Sequence, residues 1–409
     1  MLKTNSDALS LSNLSRPEVR ADPYPFYARL RTEDPVHWDE AMNFWVLTRY
    51  DDIEFAYRDP RFSSARGLQS GLNHLSEAER KIAGPIYDLL AKMMAFSDPP
   101  YHKRLRGLMN KAFTPRAVER MQPHIQEIAD ELLTAIQANE QMDVMRDLAY
   151  PLPIIVIAEM LGLPAEDRLQ FKQWSDDHIA IAGATHHSPE VMQKASESLA
   201  ELTEYINELG EQRRQQPKND LLSGLIAAEE EGSRLTHEEL VANIVMLLVG
   251  GHETTTNLIG NGTLALLRHP EQMQKLRDNP ELITTAVEEM MRYDNPVQLT
   301  YRSAMEDVEI GGKRIGKGQI IGSIIGAANH DPTHFSEPDR FDITRDEGRQ
   351  MGFGLGIHFC LGAPLARFEG QVAISTLLRR FPSLQLVADQ LEWQDHPSFR
   401  GVKLLSVAF

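Results

Sequence analysis

One stretch restricts the fold of this chain more than any other, a helical pattern that runs from Thr236 to about Arg268. Thr236-His-Glu-Glu239 has the form of a capping box, which favours the start of a helix. A helix of that length spans roughly 50 Å, enough to cross a whole domain. The run Leu240–Val249 is apolar nearly all round, which is typical of a helix buried on every side. We therefore expect one large globular unit with this helix at its centre.

The middle of the pattern carries a polar interruption, Gly250-Gly251-His252-Glu253-Thr254-Thr255-Thr256. Each glycine costs about 1 kcal/mol of helix stability relative to alanine. A buried acid beside hydroxyl groups also needs hydrogen-bonding partners. One interpretation is a helix kink with a satisfied polar network. Sequences depart from local helix preferences most often at functional sites. The other interpretation is therefore that this segment takes part in chemistry.

The only cysteine of the 409 residues, Cys360, lies in the stretch Phe353-Gly-Leu-Gly-Ile-His-Phe-Cys360-Leu-Gly362. A lone cysteine forms no internal disulfide and no cysteine-rich zinc site. The glycines of this stretch let the backbone take unusual conformations and let a bulky group approach. A helical pattern begins at Ala363, so the sulfur lies at a helix N-terminus, where backbone N–H groups favour a thiolate. Such a thiolate is a nucleophile or a metal ligand. The alternative is a structural, unreactive cysteine in a turn.

The spacing Phe-x-x-Gly-x-x-x-Cys-x-Gly, formed by Phe353, Gly356, Cys360 and Gly362, resembles the haem-binding loop of the cytochrome P450 monooxygenases. Further motifs in the family's order extend this resemblance over positions 98 to 362. The chain looks like a bacterial member, similar to the branch with macrolide and polyketide hydroxylases and a fatty-acyl-cleaving enzyme. The resemblance implies a mainly α fold with a small β region, a long central helix over a buried haem, and a single domain over 1–409.

The resemblance also implies the cofactor chemistry. The family binds haem b with a cysteine thiolate as axial ligand, which assigns that role to Cys360, and uses dioxygen as co-substrate. The matching acid and threonine of the central helix, Glu253 and Thr254, would handle protons for bound dioxygen. The residues assigned to haem contacts are His102, Arg106, Arg302, Phe353, Gly356, His358 and Gly362.

Two further sets of residues follow from the resemblance. The family clamps a Glu-x-x-Arg pair with an arginine from a Pro-x-Arg-Phe turn, and the matching structural network is Glu289, Arg292 and Arg340. The segments 60–97 and 165–190 are expected to be mobile parts of the substrate access route. The expected substrate pocket is mostly apolar, so we expect an apolar and sizeable substrate. Its candidate residues are Met93, Met94, Met246, Leu247, Gly250, Val297, Leu299 and Phe399.

Charge and hydropathy indicate the surroundings and partners. The net charge of −17 argues against nucleic acid or an anionic membrane as partner. The sequence contains no run of about 18 apolar residues, so it predicts no membrane span. The N-terminus lacks a signal pattern. We therefore expect a cytoplasmic monomer.

The sign of the charge reverses at 103–120, where six basic residues accompany one acid. The resemblance places this stretch on the thiolate side of the haem, which would dock a small acidic ferredoxin, supplied by a ferredoxin reductase, or a flavodoxin. Arg106 would turn inward. The expected docking residues are Lys103, Arg104 and Lys111, with Arg345, Arg349 and Arg367 nearby. The alternative is a solvated basic helix without a docking role.

The sequence predicts hydroxylation of an apolar small molecule, and rival functions stay open. Within the family, the rival is oxidative C–C cleavage of an acyl chain held on a carrier protein. A non-catalytic haem sensor would have little reason to keep Glu253 and Thr254. A cysteine hydrolase needs a histidine base near the sulfur, and His358 is close to Cys360 in sequence.

Overall fold

The computed structural model describes residues 9–66, 76–179, 188–230, 233–388 and 390–409. Parts of the two predicted access segments, at 67–75 and 180–187, lie outside the described residues. The described helices are α1 (Pro17–Ala21), α2 (Tyr24–Glu33), α3 (Tyr50–Arg58), α4 (Glu77–Leu90), α5 (Tyr101–Ala112), α6 (Pro115–Ile136), α7 (Pro151–Leu161), α8 (Arg168–Ile179), α9 (Pro189–Gln215), α10 (Leu221–Ala227), α11 (His237–Arg268), α12 (Pro270–Asp278), α13 (Ile283–Tyr293), α14 (Ile325–Asn329) and α15 (Ala363–Arg380). Short 3₁₀ turns occupy Leu11–Ser15, Met94–Phe96, Ala165–Asp167, Pro280–Leu282 and Gly356–His358, and Met145–Ala149 forms a π turn.

The strands are β1 (Val36–Asp39), β2 (Phe44–Leu47), β3 (Phe62–Ser63), β4 (Gln141–Asp143), β5 (Glu229–Glu230), β6 (Ser233–Arg234), β7 (Leu299–Ala304), β8 (Val308–Ile310), β9 (Lys313–Ile315), β10 (Ile320–Ile324), β11 (Gln385–Leu386) and β12 (Ser406–Ala408). The largest sheet has the order β1-β2-β10-β7-β3, in which the β2–β10 pair is parallel and the other pairs are antiparallel. A second sheet, β11-β12-β4, pairs the C-terminal strand β12 with β11 and with β4. The prediction of a mainly α fold with a small β region is confirmed.

The predicted central helix is α11, and it is continuous from His237 to Arg268. Its capping box is formed: the Thr236 hydroxyl accepts from the Glu239 N–H, and the Glu239 carboxylate accepts from the Thr236 N–H at 2.9 Å. The helices α7, α8, α13 and α15 pack around it. The Gly250-Gly251 pair therefore does not interrupt the helix, because neighbouring elements hold it on both sides of that pair.

The segment 60–97, which is expected to be part of the substrate access route, contains the helix α4. Ser76 and Glu79 form a second capping box there, with Ser76 N–H donating to Glu79 Oε2 at 2.8 Å. The helix retains Pro85 in its interior, and a mid-helix proline normally argues against a helix because it lacks an N–H donor.

In the described ranges, no helix is both long enough and apolar enough to cross a membrane.

Candidate functional site

Cys360 ends a tight turn that leads into the first residues of α15. Its N–H donates to the carbonyl oxygen of Phe353 at 2.9 Å, which closes the turn. Gly356 has a φ of +68°, and a Cβ at this position would lie 2.9 Å from the carbonyl oxygen of Tyr57. Only glycine meets both conditions without strain. The turn therefore fixes where the sulfur points.

Cys360 is solvent-accessible, yet protein atoms surround its sulfur closely enough to affect the pKa of the thiol. Burial raises the pKa of the thiol, and backbone N–H groups of Gly362 and Ala363 and the charges of Arg106 and Arg367 act in the opposite direction. The helix start thus stabilises a thiolate only in part. A metal ion coordinated by such a sulfur deprotonates it outright.

Four basic or imidazole side chains gather beside this turn. The rings of His102 and His358 have their centroids 4.2 Å apart. Arg106 Nη1 donates to the carbonyl oxygen of Phe359 at 2.7 Å. Arg302 lies over the Tyr57 ring, 5.2 Å from its centroid.

The cluster is short of negative charge: burial lowers the pKa of His102 and of Arg302, and it outweighs the effect of Asp98, which raises both pKa values. Burial, and then the charges of Arg302, His102 and Arg106, lower the pKa of His358 to about 3. Burial also lowers the pKa of Arg302 and of Arg106. His102 Nε2 is buried and has no hydrogen-bond partner among the described residues. Buried cations and unpaired donors of this kind fit an anionic group, such as the carboxylates of a haem.

The central helix presents an open face at the interruption. Gly250 is exposed in the middle of a helix that is otherwise largely buried, and a Cβ added there would meet nothing within 4 Å. Thr254, one turn later on the same face, donates its hydroxyl to the carbonyl oxygen of Gly250 at 2.8 Å. A hydroxyl group and bare backbone therefore face an open space. Together with the thiol and the unpaired basic cluster, this arrangement fits a bound haem.

Glu253 lies on a different flank of α11, because consecutive helical residues are about 100° apart. Its Oε1 accepts hydrogen bonds from Asn257 Nδ2 at 3.0 Å and from Gln394 Nε2 at 2.7 Å. Burial raises the pKa of Glu253, and these two donors oppose that effect; Asp176 and Lys172 act more weakly, in opposite directions. Asn257 could have been predicted from its i+4 spacing. No local signal pointed to Gln394.

The expected structural network forms, with one correction. Glu289 and Arg292 make a buried ion pair at 2.7 Å. The third member is Arg345, whose Nε lies 3.2 Å from Glu289 Oε2, so the prediction that Arg340 clamps the pair is wrong. The Arg340 side chain is 56% exposed and pairs with Glu337 at 3.0 Å, and only its carbonyl oxygen accepts from Arg292. The loop turns the Arg340 side chain outward and the Arg345 side chain inward.

The pocket candidates fall into two groups. Met93, Met94 and Leu247 are buried, Met246 is half-buried, and Gly250 lies on the open face of α11. The backbone N–H of Met94 donates to Asn243 Oδ1 at 2.9 Å, which ties this segment to α11. Leu299 and Phe399 line a mostly apolar cavity of about 320 Å³ that Gln394 also borders. Val297 pairs with Phe399 through an isolated β-bridge.

The expected docking residues also divide. Lys103, Lys111 and Arg349 are exposed. Arg349 lies over the Phe359 ring at 4.8 Å and Arg367 over the Phe353 ring at 4.3 Å, so both flank the cysteine turn. Two expectations were wrong. Arg345 is buried against Glu289, and Arg104 forms an ion pair with Glu239 at the start of α11, so its charge is already compensated.

Comparison with known proteins identifies the family. The family model described as Cytochrome P450 matches residues 38–402. The chain is 40% identical over 400 residues to the polyketide biosynthesis cytochrome P450 PksS of Bacillus subtilis (strain 168), covering 96% of each chain. It is 42% identical over 399 residues to the cytochrome P450 monooxygenase PikC of Streptomyces venezuelae, covering 95% of this chain and 92% of that protein.

A solved structure extends the similarity to the fold. The structure of P450BioI in complex with an acyl carrier protein ligated to hexadec-9Z-enoic acid superimposes with a TM-score of 0.89 at 39% identity, covering 96% of this chain and all of that one. The haem-thiolate arrangement that the resemblance implied is thus supported by the cysteine turn, by the P450 fold and by the related proteins. The chain belongs to the cytochrome P450 family and is a monooxygenase that carries haem b on the Cys360 thiolate.

Proposed function

We propose that this monooxygenase hydroxylates a large apolar molecule of the polyketide, macrolide, fatty-acid, terpenoid or steroid type. One observation carries the proposal: the accessible Cys360 sulfur lies at a helix start beside a basic cluster in which His102 Nε2 is buried without a partner among the described residues. The open Gly250–Thr254 face of α11 supports it. When bound, the haem supplies the activation of dioxygen with two electrons from a redox partner. The protein contributes binding, orientation and proton supply.

Each residue of the site has a proposed task. His102, Arg106, Arg302 and His358 hold the haem carboxylates: His102 Nε2 has no partner among the described residues, and the other three are nearby basic groups whose pKa values are lowered by burial. Thr254 places a hydroxyl at the open face of α11, and Glu253 delivers protons from the flank beside it. Leu299 and Phe399 line a mostly apolar cavity that is suited to an apolar group.

The axial role of Cys360 can be tested directly. We expect the carbon-monoxide difference spectrum of the reduced wild-type protein to be of the thiolate type. Cys360→Ser should lose this spectrum and the monooxygenase activity, because an oxygen ligand donates less electron density than a thiolate. Product analysis on a panel of apolar substrates then tests the reaction class. A Cys360→Ser variant that kept both spectrum and activity would overturn the proposal.

A second candidate is oxidative C–C cleavage of a carrier-bound acyl chain. The similarity to P450BioI, which was solved with a ligated acyl carrier protein, favours it. Product analysis with the same fatty acid, free and carrier-bound, separates the two: chain-shortened diacids only from the carrier-bound form would establish cleavage.

Electrons have to come from a partner protein, and we propose that a ferredoxin-type donor docks on the cysteine-turn side. The exposed cations Lys103 and Arg349 support this surface, and Arg367, which pairs with Glu288 at 3.2 Å, borders it. In a chain with a net charge of −17, such a patch attracts an acidic protein to one place.

A further inference from the structure

The C-terminal segment 392–403 forms a hairpin that reaches the catalytic helix. Two backbone hydrogen bonds join its arms. The Lys403 N–H donates to the Glu392 carbonyl oxygen at 2.8 Å, and the Gln394 N–H donates to the Gly401 carbonyl oxygen at 2.9 Å. A bridge between Trp393 and Val402 lies between them. The Gln394 side chain is therefore carried on paired backbone.

The hairpin is held firmly against the protein. Arg400 Nε donates to Asp294 Oδ1 at 2.5 Å, and its guanidinium lies 3.6 Å from the Trp393 ring centroid. Gly401 packs directly on Asn257 of α11: a Cβ at this position would lie 2.0 Å from Asn257 Oδ1. The backbone of the hairpin can approach α11 this closely only because residue 401 is glycine.

This docking brings two amides to one carboxyl oxygen. Gln394 Nε2 and Asn257 Nδ2 both donate to Glu253 Oε1, and the two amides also contact each other at 3.4 Å. Donors that converge on one oxygen hold the carboxyl group in place and favour its charged form. They hold it on the hairpin flank of α11, about 100° round the helix from Thr254.

We propose that Gln394 is a positioning residue for Glu253, which fixes where the carboxyl group lies and how readily it takes up a proton; this rests on the proposed role of Glu253 in proton delivery. Gln394 also borders the cavity that Leu299 and Phe399 line. The hairpin tip is bonded to the strand region beside that cavity, since Gln298 N–H donates to the Ser398 carbonyl oxygen at 2.8 Å. Phe399 is thus two residues away in the chain from Gly401, which packs on one of the two amides that hold the Glu253 carboxyl group.

The other groups that face Glu253 define its electrostatic surroundings. From α8, Asp176 raises its pKa and Lys172 lowers it. The Tyr150 hydroxyl donates to Asp176 rather than to Glu253. His252, the neighbour in α11, has its pKa lowered by burial to about 4 and is uncharged at neutral pH. Gln394 is therefore the strongest single group that opposes the effect of burial on Glu253.

The direct test measures the pKa of Glu253 in the haem-loaded ferric protein without turnover. Infrared difference spectra over a pH series report the protonated carboxyl group, and the Glu253→Gln variant identifies its band. We expect Gln394→Leu to raise this pKa by about one unit or more, a tenfold change in proton affinity, because a donor to a charged group is lost. Gln394→Glu should also raise it, because a second carboxylate lies beside the first.

The matched control is Glu392→Gln on the same hairpin. It removes the surface ion pair of Glu392 with Lys403 and leaves the contacts of Glu253 intact. We expect this variant to keep the wild-type pKa, whereas a purely structural effect of the hairpin would shift it as well. If Gln394→Leu does not retain haem, Gln394→Glu, which has the same shape as glutamine, decides alone. An unchanged Glu253 pKa in the Gln394 variants would overturn the inference.

A second measurement separates this inference from the proposed function. Product formed per NAD(P)H consumed is followed against pH in the same variants. We expect the midpoint of this profile to move up with the pKa in Gln394→Leu. If Glu253→Gln itself leaves product yield unchanged, the proton role of Glu253 is wrong and the inference falls with it. If Glu253→Gln lowers the yield but the Gln394 variants match the wild type in midpoint and pKa, only the positioning role is wrong.

Discussion

Thr254 is the residue whose chemistry can be isolated best by substitution. Its hydroxyl donates to the Gly250 carbonyl oxygen at 2.8 Å, and its side chain is half-buried at the open face of α11. The helix α11 is continuous through this position, and the proposed task of the hydroxyl group is to take part in proton delivery.

Replacing this hydroxyl should separate proton delivery from haem binding. We expect Thr254→Val, which keeps the side-chain shape, to retain haem and the carbon-monoxide spectrum. Reducing equivalents should pass to hydrogen peroxide, and product per NAD(P)H should fall roughly tenfold or more, since positioned proton donors contribute at least that much. Thr254→Ser, which retains a hydroxyl, should keep most of the coupling. Equal coupling in Thr254→Val and the wild type would contradict the assigned role.

At the scale of elements, the buried ion-pair network joins α13 to the loop that follows α14. Glu289 accepts from both Arg292 and Arg345, and each of these side chains is almost wholly buried. Removing one partner leaves a buried charge uncompensated, which is among the most destabilising changes in a protein. The exposed Arg340, five residues before Arg345, forms only surface pairs.

This difference makes a matched pair of substitutions. We expect Arg345→Ala to lower the free energy of unfolding by about 3–5 kcal/mol. Arg340→Ala should change it by no more than about 0.5 kcal/mol, as is usual for surface positions. Urea unfolding of the haem-loaded variants, monitored by far-ultraviolet circular dichroism, compares the two. A larger loss for Arg340→Ala would show that the turn depends on the arginine expected from the sequence and not on Arg345.

The same network shows what the sequence could and could not predict. Local signals worked: the capping box at Thr236 and the Glu289–Arg292 spacing both specify contacts within one helix. The choice between Arg340 and Arg345 depends on how a loop turns, which spacing does not encode. Gln394 contacts an acid 141 residues earlier in the chain, and only the docking of the hairpin on α11 brings them together.

Over the whole molecule, the distribution of charge is the feature most relevant to function. The net charge is −17, while Lys103 on α5 and Arg349 beside Phe359 remain exposed. Arg104 and Arg345 are removed from this surface by their ion pairs with Glu239 and Glu289. Reversing Arg104 would disturb the start of α11, so it is unsuitable for testing docking. The informative pair is Lys103 and Arg349.

We expect Lys103→Glu with Arg349→Glu to slow reduction by an acidic ferredoxin at low ionic strength, with substrate affinity and haem spectrum unchanged. Charges at the rim of an interface act chiefly on the association rate. The effect should fade with salt, because the Debye length falls from about 10 Å at 0.1 M to about 3 Å at 1 M. Lys317→Glu, an exposed reversal in the β9–β10 turn, is the net-charge control for each single reversal, Lys103→Glu and Arg349→Glu, and should leave the rate close to that of the wild type. Stopped-flow reduction rates that match the wild type across the salt series, or that fall equally in the control, would show that electrons enter elsewhere.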